Sequence, residues 1–326
     1  MHDIRYFQKK VEAGIKSLKF DKSPPELYDP VKYILSLGGK RMRPVLTLMA
    51  CEMFGGKPDD VLKPAIGIEL FHNFTLVHDD IMDNAPLRRT LPTVHSRWNT
   101  NIAILSGDLM YALSYSLVAA APPGVLHRVL SVFNRAAVQV CEGQQLDMNY
   151  EKKAKVSIME YLRMIELKTA ALLAASLEIG AITGGSGETD AKHLREFGKS
   201  IGIAFQIRDD ILDVYASERV FGKQKGGDIL SGKKTYLLLK AMELAPSRPL
   251  LKKELDRWLS APSPDPHKKV KGVTAVYDAT GVRSLAEKEM NRHYVNALRA
   301  LEKIGISEEK KEPLRNIAVE IIDREK

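Results

Sequence analysis

Cysteine is scarce in this sequence, with two residues among 326. Two cysteines in helical context do not make the disulfide framework that small secreted domains use, so we expect reduced thiols and a cytoplasmic protein. Long apolar runs are missing too, since none reaches the roughly 18 residues that span a bilayer. The first stretch, "MHDIRYFQKKVEAGIKSLKF", carries charges throughout and lacks the apolar centre of a secretory signal. The sequence therefore predicts no membrane span.

Aromatic residues make up only 7% of the chain, while the net charge is +8. The densest basic runs, "KKEPLR" and "HKKVKG", contain no aromatic side chain. A nucleic-acid surface usually combines clustered Lys and Arg with exposed aromatics, so we expect no nucleic-acid partner. Two interpretations of the positive charge remain: a solvated surface, or the binding of a small polyanionic substrate.

Strand patterns are also lacking, because no convincing run alternates apolar and polar residues. Apolar residues instead recur at i, i+3, i+4 and i+7, which predicts an all-α bundle of ten or more helices. Breakers such as "APPG" and "TGGSGETD" are too short to link domains, so we predict a single domain over 1–326. The segments with few charges, 101–120, 169–182 and 201–214, are expected to be central and buried.

Two nearly identical heptapeptides, "VHDDIMD" and "IRDDILD", place aspartates in apolar helical sequence. Side chains at i and i+4 share a helix face, so the first and last aspartates of each heptapeptide point the same way. Burying like charges is costly unless a cation joins them. Oxygen ligands suit Mg²⁺, which takes one or two carboxylates together with phosphate oxygens. The predicted metal ligands are Asp79, Asp80, Asp83, Asp209, Asp210 and Asp213.

Other interpretations of these clusters stay open. Each could be a charge group at a helix start or a solvated helix face. A His-Asp metal hydrolase would use His78, but it needs more histidine ligands, and Arg208 stands at the matching place in the second cluster. His72 shares the face of Asp79 and is placed to contact an anion, although a lone helical histidine is more often a packed core residue.

The clusters occur with two further motifs, "GGKRMRP" (38–44) and "GDILSGKKTY" (227–236), and the first cluster continues into a double arginine, "DDIMDNAPLRR". In this combination and order they resemble the trans-isoprenyl diphosphate synthases, the farnesyl and geranylgeranyl diphosphate synthase family also called polyprenyl synthetases. The resemblance implies an isoprenoid-synthase bundle around a central active-site cavity. It implies the Mg²⁺-dependent head-to-tail (1′-4) condensation of isopentenyl diphosphate with an allylic diphosphate (dimethylallyl, geranyl or farnesyl), which releases pyrophosphate. Three Mg²⁺ ions, replaceable by Mn²⁺, and a homodimer formed through apolar helices such as 101–120 are also implied.

The resemblance assigns substrate-binding roles to individual residues. The isopentenyl diphosphate site matches Gly39, Lys40, Arg43, His72 and Arg89. The allylic diphosphate and its ionising carbon match Arg88, Lys168, Thr169, Gln206, Lys223 and Lys233. Of these, the residues expected to act in catalysis are Arg88, Lys168, Thr169 and Gln206. Arg324 resembles a residue that closes over the site. Each basic group also has a purely structural interpretation, as a helix-start charge group, a helix C-cap or part of a connecting loop.

Product length in this family depends on the residues four, five and eight positions before the first aspartate cluster, here Thr75, Phe74 and Phe71. The two bulky rings predict a short product, C15 or C20; ordinary core packing is the alternative. The non-aromatic Thr75 favours C20. Two positions depart from the family pattern, with Thr90 in place of a small residue and Leu237 in place of a proline.

Other classes compete with this interpretation. A class I terpene cyclase shares the first cluster but usually lacks the second and the set formed by Lys40, Arg43 and Arg89. Squalene and phytoene synthases space their aspartates differently. A longer-chain polyprenyl diphosphate synthase, or a non-catalytic subunit of a heteromeric synthase, are further alternatives. The sequence alone leaves the product length, the allylic substrate, the pathway and the oligomeric state open.

Overall fold

The chain folds almost entirely into helices in the computed structural model, which describes residues 2–216, 226–260 and 265–322. In chain order the α-helices are α1 Ile4–Lys16, α2 Pro25–Ser36, α3 Met42–Met53, α4 Pro58–Met82, α5 Val94–Arg97, α6 Thr100–Val118, α7 Leu126–Lys152, α8 Ile158–Ile165, α9 Ala171–Thr183, α10 Glu188–Tyr215, α11 Gly227–Ser231, α12 Tyr236–Leu244, α13 Pro249–Ser260, α14 Pro266–Thr280, α15 Val282–Glu302 and α16 Glu308–Ile322. A π-helix spans Glu166–Ala170, and a short antiparallel hairpin pairs β1 Leu87–Arg88 with β2 Leu91–Pro92. The all-α prediction is confirmed.

Short polar residues set where several helices begin. Asp3 and Asn99 cap α1 and α6 by accepting backbone N–H groups that have no partner inside the helix. At α8 the Ser157 hydroxyl accepts from the backbone of Glu160, and the Glu160 carboxylate accepts from the backbone of Ser157. This capping box fixes the start of the helix that leads into the π-helical turn.

The chain divides into two compact units, and each has its own core. The first contains Met1–Ala137, Leu172–Glu196 and Ala300–Leu314. Its centre is α4, which packs along α3 and α6. The second contains Val138–Ala171, Phe197–Arg299 and Arg315–Lys326. Its core is built from α8, α10, α12 and α14. The single domain over 1–326 stays a prediction.

Of the three segments with few charges that were expected to be buried, two are buried and one is not. Helix α9 is buried along nearly its whole length, as is 201–214 of α10. For 101–120 the expectation is wrong in this chain taken alone. One face of α6 packs on α2 and α4, but the opposite face exposes four large apolar side chains. They are Ile104, Leu105, Tyr111 and Tyr115.

Both cysteines are free, Cys51 in the core and Cys141 at the surface. Burial raises the pKa of the Cys51 thiol to about 12, so this side chain is an inert core residue. Within the described parts of the chain, every helix is too short or too polar to cross a bilayer.

Candidate active site

The first aspartate cluster ends α4 and divides between two environments. Asp80 is 1% exposed, whereas Asp79 is half-buried and Asp83 is exposed at the end of the helix. This division follows from helix geometry, since Asp79 and Asp83 are four residues apart and Asp80 lies about 100° round the axis. Two carboxylates therefore share an accessible face and the third points inward.

The inward carboxylate is held by the hairpin that follows α4. Nε of Arg88 donates to both oxygens of Asp80 at 3.0 and 2.8 Å, and Nη2 donates to Oδ1 at 2.7 Å. Burial raises the pKa of Asp80, and the bonds to Arg88 act against that rise. Arg89 and Thr90 form the two-residue turn with φ of 52° and 68°. Positive φ at both positions is what type I′ hairpin turns require, so the departure at Thr90 places a threonine where glycine is favoured.

The structure brings Arg89 and Gly39 together. Nη1 of Arg89 donates to the carbonyl of Gly38. A Cβ atom at Gly39, whose φ is 131°, would lie 2.7 Å from Nη2 of Arg89, so only glycine allows this approach. Lys40 is exposed beside the same turn.

Arg43 and His72 are two more residues that were predicted to bind substrate. Burial lowers the pKa of Arg43, and its Nε is buried with no hydrogen-bond partner among the described residues. Burial, followed by the charges of Arg43, Arg88, Arg89 and Arg41, holds the pKa of His72 well below its usual range. The imidazole is therefore neutral at pH 7. We call Arg43, His72, Arg88 and Arg89 the basic cluster.

The role of Arg41 could not be inferred from the motif in which it lies. Its side chain is buried, donating from Nη1 to Glu69 at 2.7 Å and from Nε to Glu12 at 3.2 Å. A further bond runs from Nη2 to the carbonyl of Leu35 at 2.6 Å. Arg41 is thus a structural residue, although it stands between two predicted substrate ligands.

In the second unit, Lys168 and Thr169 lie in the π-helical turn. Nζ of Lys168 donates to Oδ2 of Asp147 on α7 at 2.6 Å. A Cβ atom at Gly143 would collide with the backbone of Lys168, so this glycine allows α7 to approach the turn. π-helical turns often occur at functional sites, but neither Gly143 nor the turn is marked by the sequence motifs.

A chain of hydrogen bonds joins the other predicted residues of this unit. Thr169 Oγ1 donates to Oε1 of Gln206 at 3.0 Å, and Nε2 of Gln206 donates to Oδ1 of Asp210 at 3.1 Å. The hydroxyl of Tyr161 donates to Oδ2 of Asp210 at 2.5 Å. Burial, followed by the charge of Asp228, raises the pKa of Asp210. Tyr161 is absent from the predicted site; its one sequence signal is its position seven residues before Lys168, two turns away on a helix.

The remaining aspartates of the second cluster differ in accessibility. Asp209 is half-buried, whereas Asp213 is buried and accepts a bond from the backbone N–H of Asp228 at 3.0 Å. Lys233 is half-buried, and its charge lowers the pKa of Asp210. Lys223 lies outside the described residues.

Arg324 also lies outside the described residues. In the ranges that the structure describes, no three His, Cys, Asp or Glu side chains converge into a group able to hold a metal ion alone.

The predicted chain-length residues occupy one aromatic group in the first unit. Phe71 is fully buried, with its ring centroid 5.5 Å from Phe74, 5.9 Å from Tyr111 and 5.4 Å from Phe133. Phe74 is half-buried and its ring meets that of His78 edge-on at 4.7 Å. Phe71 is thus a core residue, and Phe74 is the more accessible ring.

Thr75 and Leu237 have ordinary structural roles. The Thr75 hydroxyl donates to the carbonyl of His72 in its own helix at 2.8 Å. Leu237 is fully buried in the first turn of α12, so leucine serves as core where many relatives have proline.

The fold is that of the all-α isoprenoid synthases, and comparison with known proteins gives the family. The polyprenyl synthetase family model matches residues 24–276. A geranylgeranyl diphosphate synthase of Methanosarcina mazei is 41% identical over 244 residues, 74% of this chain and 75% of that protein. A short chain isoprenyl diphosphate synthase of Methanothermobacter thermautotrophicus is 35% identical over 326 residues, 100% of this chain and 98% of that protein. The crystal structure of geranylgeranyl pyrophosphate synthetase from Pyrococcus horikoshii Ot3 superimposes with a TM-score of 0.90 at 37% identity, covering 98% of this chain and 97% of that one.

The chain belongs to the polyprenyl synthetase family and is a prenyltransferase. The resemblance inferred from the motifs is confirmed.

Proposed function

We propose that this prenyltransferase condenses isopentenyl diphosphate with an allylic diphosphate, head to tail, and releases pyrophosphate. The product is a C15–C20 all-trans prenyl diphosphate, C20 being favoured. The relatives named as geranylgeranyl diphosphate synthases support this length.

The observation that carries the proposal is the basic cluster. Arg43 in this cluster has a buried Nε with no partner among the described residues, and the charges of Arg43, Arg88 and Arg89 all act on the neutral imidazole of His72. Leaving a buried charged donor unmet costs about 1–3 kcal/mol or more, so the site favours an anion that accepts from it. A diphosphate provides several such oxygens, and the close approach of Gly39 to Arg89 places the guanidinium of Arg89 against the glycine turn.

The aspartates fit Mg²⁺, which we propose binds to Asp79, Asp80, Asp83, Asp209, Asp210 and Asp213. Asp79 and Asp209 are half-buried and Asp83 is exposed, while Asp80 is engaged by Arg88 and contributes mainly through that pair. The lack of a three-ligand protein group in the described ranges agrees with the preference of Mg²⁺ for few carboxylates plus phosphate oxygens and water. When bound, the ions neutralise charge that grows on the departing pyrophosphate.

The protein's own groups divide the reaction between the two substrates. Arg43, His72 and Arg89 hold isopentenyl diphosphate. Lys168 and Lys233, with the Nη1 group of Arg88 that its bonds to Asp80 leave unused, donate to the allylic diphosphate. The allylic C–O bond breaks, and the isopentenyl double bond supplies the electron pair of the new C–C bond. Pyrophosphate then takes the proton lost from C2, so no side-chain base is needed.

Thr169 and Gln206 stabilise the allylic cation. The Thr169 hydroxyl hydrogen is committed to Gln206, so the threonine lone pairs are left to face positive charge. A hydroxyl held in this way stabilises a cation without reacting readily with it. The bond from Gln206 to Asp210 fixes the orientation of the amide, which keeps its oxygen toward Thr169.

We also propose that the enzyme is a homodimer. One helix, α6, exposes four large apolar side chains, Ile104, Leu105, Tyr111 and Tyr115, and clustered apolar exposure is typical of a protein interface. A second copy of the chain would cover them.

The direct test is incubation with Mg²⁺, labelled isopentenyl diphosphate and each of dimethylallyl, geranyl and farnesyl diphosphate. We expect linear prenyl diphosphates of C15–C20. Cyclic hydrocarbons formed without consumption of isopentenyl diphosphate would indicate a terpene cyclase, and products beyond C25 a longer-chain synthase.

A second test compares variants of the proposed metal ligands with a variant of an aspartate outside the proposed site. Asp79→Asn and Asp209→Asn should each lower turnover by about 10²-fold or more with the fold intact, because each removes a negative metal ligand. Asp59→Asn, at an exposed position in the first turn of α4, should keep wild-type turnover. Near-normal rates in both Asp79→Asn and Asp209→Asn would remove the metal assignment.

A further inference from the structure

Lys234 inserts its ammonium group into the C-terminal end of α7. Nζ donates to the carbonyl of Tyr150 at 2.5 Å, to that of Glu151 at 3.4 Å and to that of Lys153. All three donors of the ammonium group thus have backbone carbonyl acceptors. Lys234 is half-buried, and burial lowers its pKa.

The position of these acceptors explains why a lysine lies here. The last carbonyls of an α-helix have no partner inside the helix and carry the negative end of its dipole. A cation that satisfies three carbonyls around this end attaches its own backbone firmly to the helix. The segment attached in this way is the short connection between α11 and α12, where Lys233 precedes Lys234.

This connection is held at both of its ends as well. The backbone N–H of Lys233 donates to the carbonyl of Asp228 at 2.9 Å. Thr235 is buried and caps the first turn of α12. With Lys234 bound to α7 between these two points, the backbone of Lys233 is held by hydrogen bonds on both sides.

Helix α7 also carries the partner of the other lysine of this unit. Asp147 lies one turn before the carbonyls that Lys234 binds, and it accepts the bond from Lys168. The end of α7 is therefore connected to Lys168 through Asp147 and to Lys233 through Lys234. A shift of the Lys233 backbone relative to the ammonium group of Lys168 would strain these connections.

We propose that Lys234 is a positioning residue that fixes Lys233 relative to Lys168, so that the two ammonium groups bind one allylic diphosphate together. The inference rests on the proposed function. Lys234 has no donor left for substrate in this arrangement, so it acts through Lys233.

The test compares Lys234→Met with Lys233→Met and with the double variant. Steady-state kinetics give KM for geranyl diphosphate and for isopentenyl diphosphate, and calorimetry gives Kd for inorganic pyrophosphate with Mg²⁺ in the absence of turnover. Lys234→Met should raise KM for geranyl diphosphate and Kd for pyrophosphate about tenfold, as loss of a charged hydrogen bond does. KM for isopentenyl diphosphate should stay within about twofold, since the printed bonds of Lys234 run to the end of α7 and to none of the residues proposed to bind that substrate.

The double variant separates positioning from a simple helix cap. Because Lys234 acts through Lys233, Lys233→Met/Lys234→Met should bind pyrophosphate no more than about twofold more weakly than Lys233→Met alone. Full additivity of the two changes would overturn the proposal. So would a Lys234→Met protein that melts at a lower temperature yet keeps wild-type KM and Kd.

Two further variants complete the test. Lys240→Met removes a lysine of α12 that pairs with the exposed Glu243, and it should match the wild type in every measurement. Lys234→Arg retains a cation that can reach the same carbonyls, so it should recover at least half of the lost pyrophosphate affinity on a logarithmic scale. If Lys234→Met does not fold, a Lys234→Arg protein with wild-type Kd but raised KM for both substrates overturns the proposal. Failure of the wild type to form any prenyl diphosphate would instead overturn the proposed function, which the pyrophosphate comparison does not test.

Discussion

Arg88 binds Asp80 through two of its nitrogens, and the carboxylate it binds is 1% exposed. The pair joins the hairpin to the end of α4. The pair therefore stabilises the fold and also holds one of the predicted metal ligands. The effects on stability and on activity can be separated by mutation.

Arg88→Met is expected to leave the Asp80 carboxylate buried without its counter-ion. The free energy of unfolding should fall by about 3 kcal/mol, because an unpaired buried charge keeps its desolvation cost. Urea denaturation measures the loss. In the double variant Arg88→Met/Asp80→Asn the charge is gone, so most of the stability should return while prenyltransfer stays defective. An unchanged urea midpoint in Arg88→Met would contradict this account of the pair.

Tyr161→Phe removes one of the two side-chain donors to Asp210 and keeps the ring that fills the core. We expect the Mg²⁺ concentration needed for half-maximal rate to rise several-fold, because ligands freed of a hydrogen-bonding partner hold metal less well, by about 10- to 100-fold in known sites. Rates measured against Mg²⁺ concentration give the result. Tyr215→Phe removes a comparable bond, to Asp278 at 3.0 Å, and serves as the control. Equal Mg²⁺ requirements in all three proteins would show that Tyr161 does not position Asp210.

His72 should make the protein less stable in mild acid. Its pKa in the folded chain is held well below the value of about 6.5 that it has when unfolded. As the pH falls through 6.5, His72 therefore takes up a proton in the unfolded chain but not in the folded chain. Between pH 7 and 5.5 the wild type should lose about 1 kcal/mol of unfolding free energy more than His72→Asn does. Denaturation curves at the two pH values check this. Parallel losses in the two proteins would mean that His72 is protonated in the folded state.

The apolar periodicity predicted the helical fold, because that period follows from local helix geometry. The motifs placed the aspartate clusters on helices, and the roles assigned to the site residues stay predictions. Gly39 and Arg89 meet although they are distant in sequence, and only the family pattern related them. The roles of Arg41 and Tyr161 could not be predicted in this way. Arg41 differs from Arg43 in burial and partners, not in residue type, and these depend on Glu69 and on tertiary packing.

Local patterns also miss contacts made by the backbone. The π-helical turn depends on the close approach of α7 at Gly143, and the capping of α7 by Lys234 depends on carbonyl groups that every residue possesses. Neither leaves a mark in side-chain periodicity. The expected burial of 101–120 was wrong for a related reason. A helix that is apolar nearly all round can be covered by another chain as well as by its own.

Phe74→Ala should lengthen the product. The ring is half-buried next to the fully buried Phe71, and its removal opens space of the size of several methylene groups without emptying the core. If Phe74 stops the growing chain, the main product should gain at least one C5 unit, as measured by mass analysis after dephosphorylation. Phe71→Leu is the matched control, since Phe71 contacts Phe133 in the core and its change should affect stability more than product length. Unchanged products from Phe74→Ala would contradict the assignment of Phe74 as the residue that limits chain length.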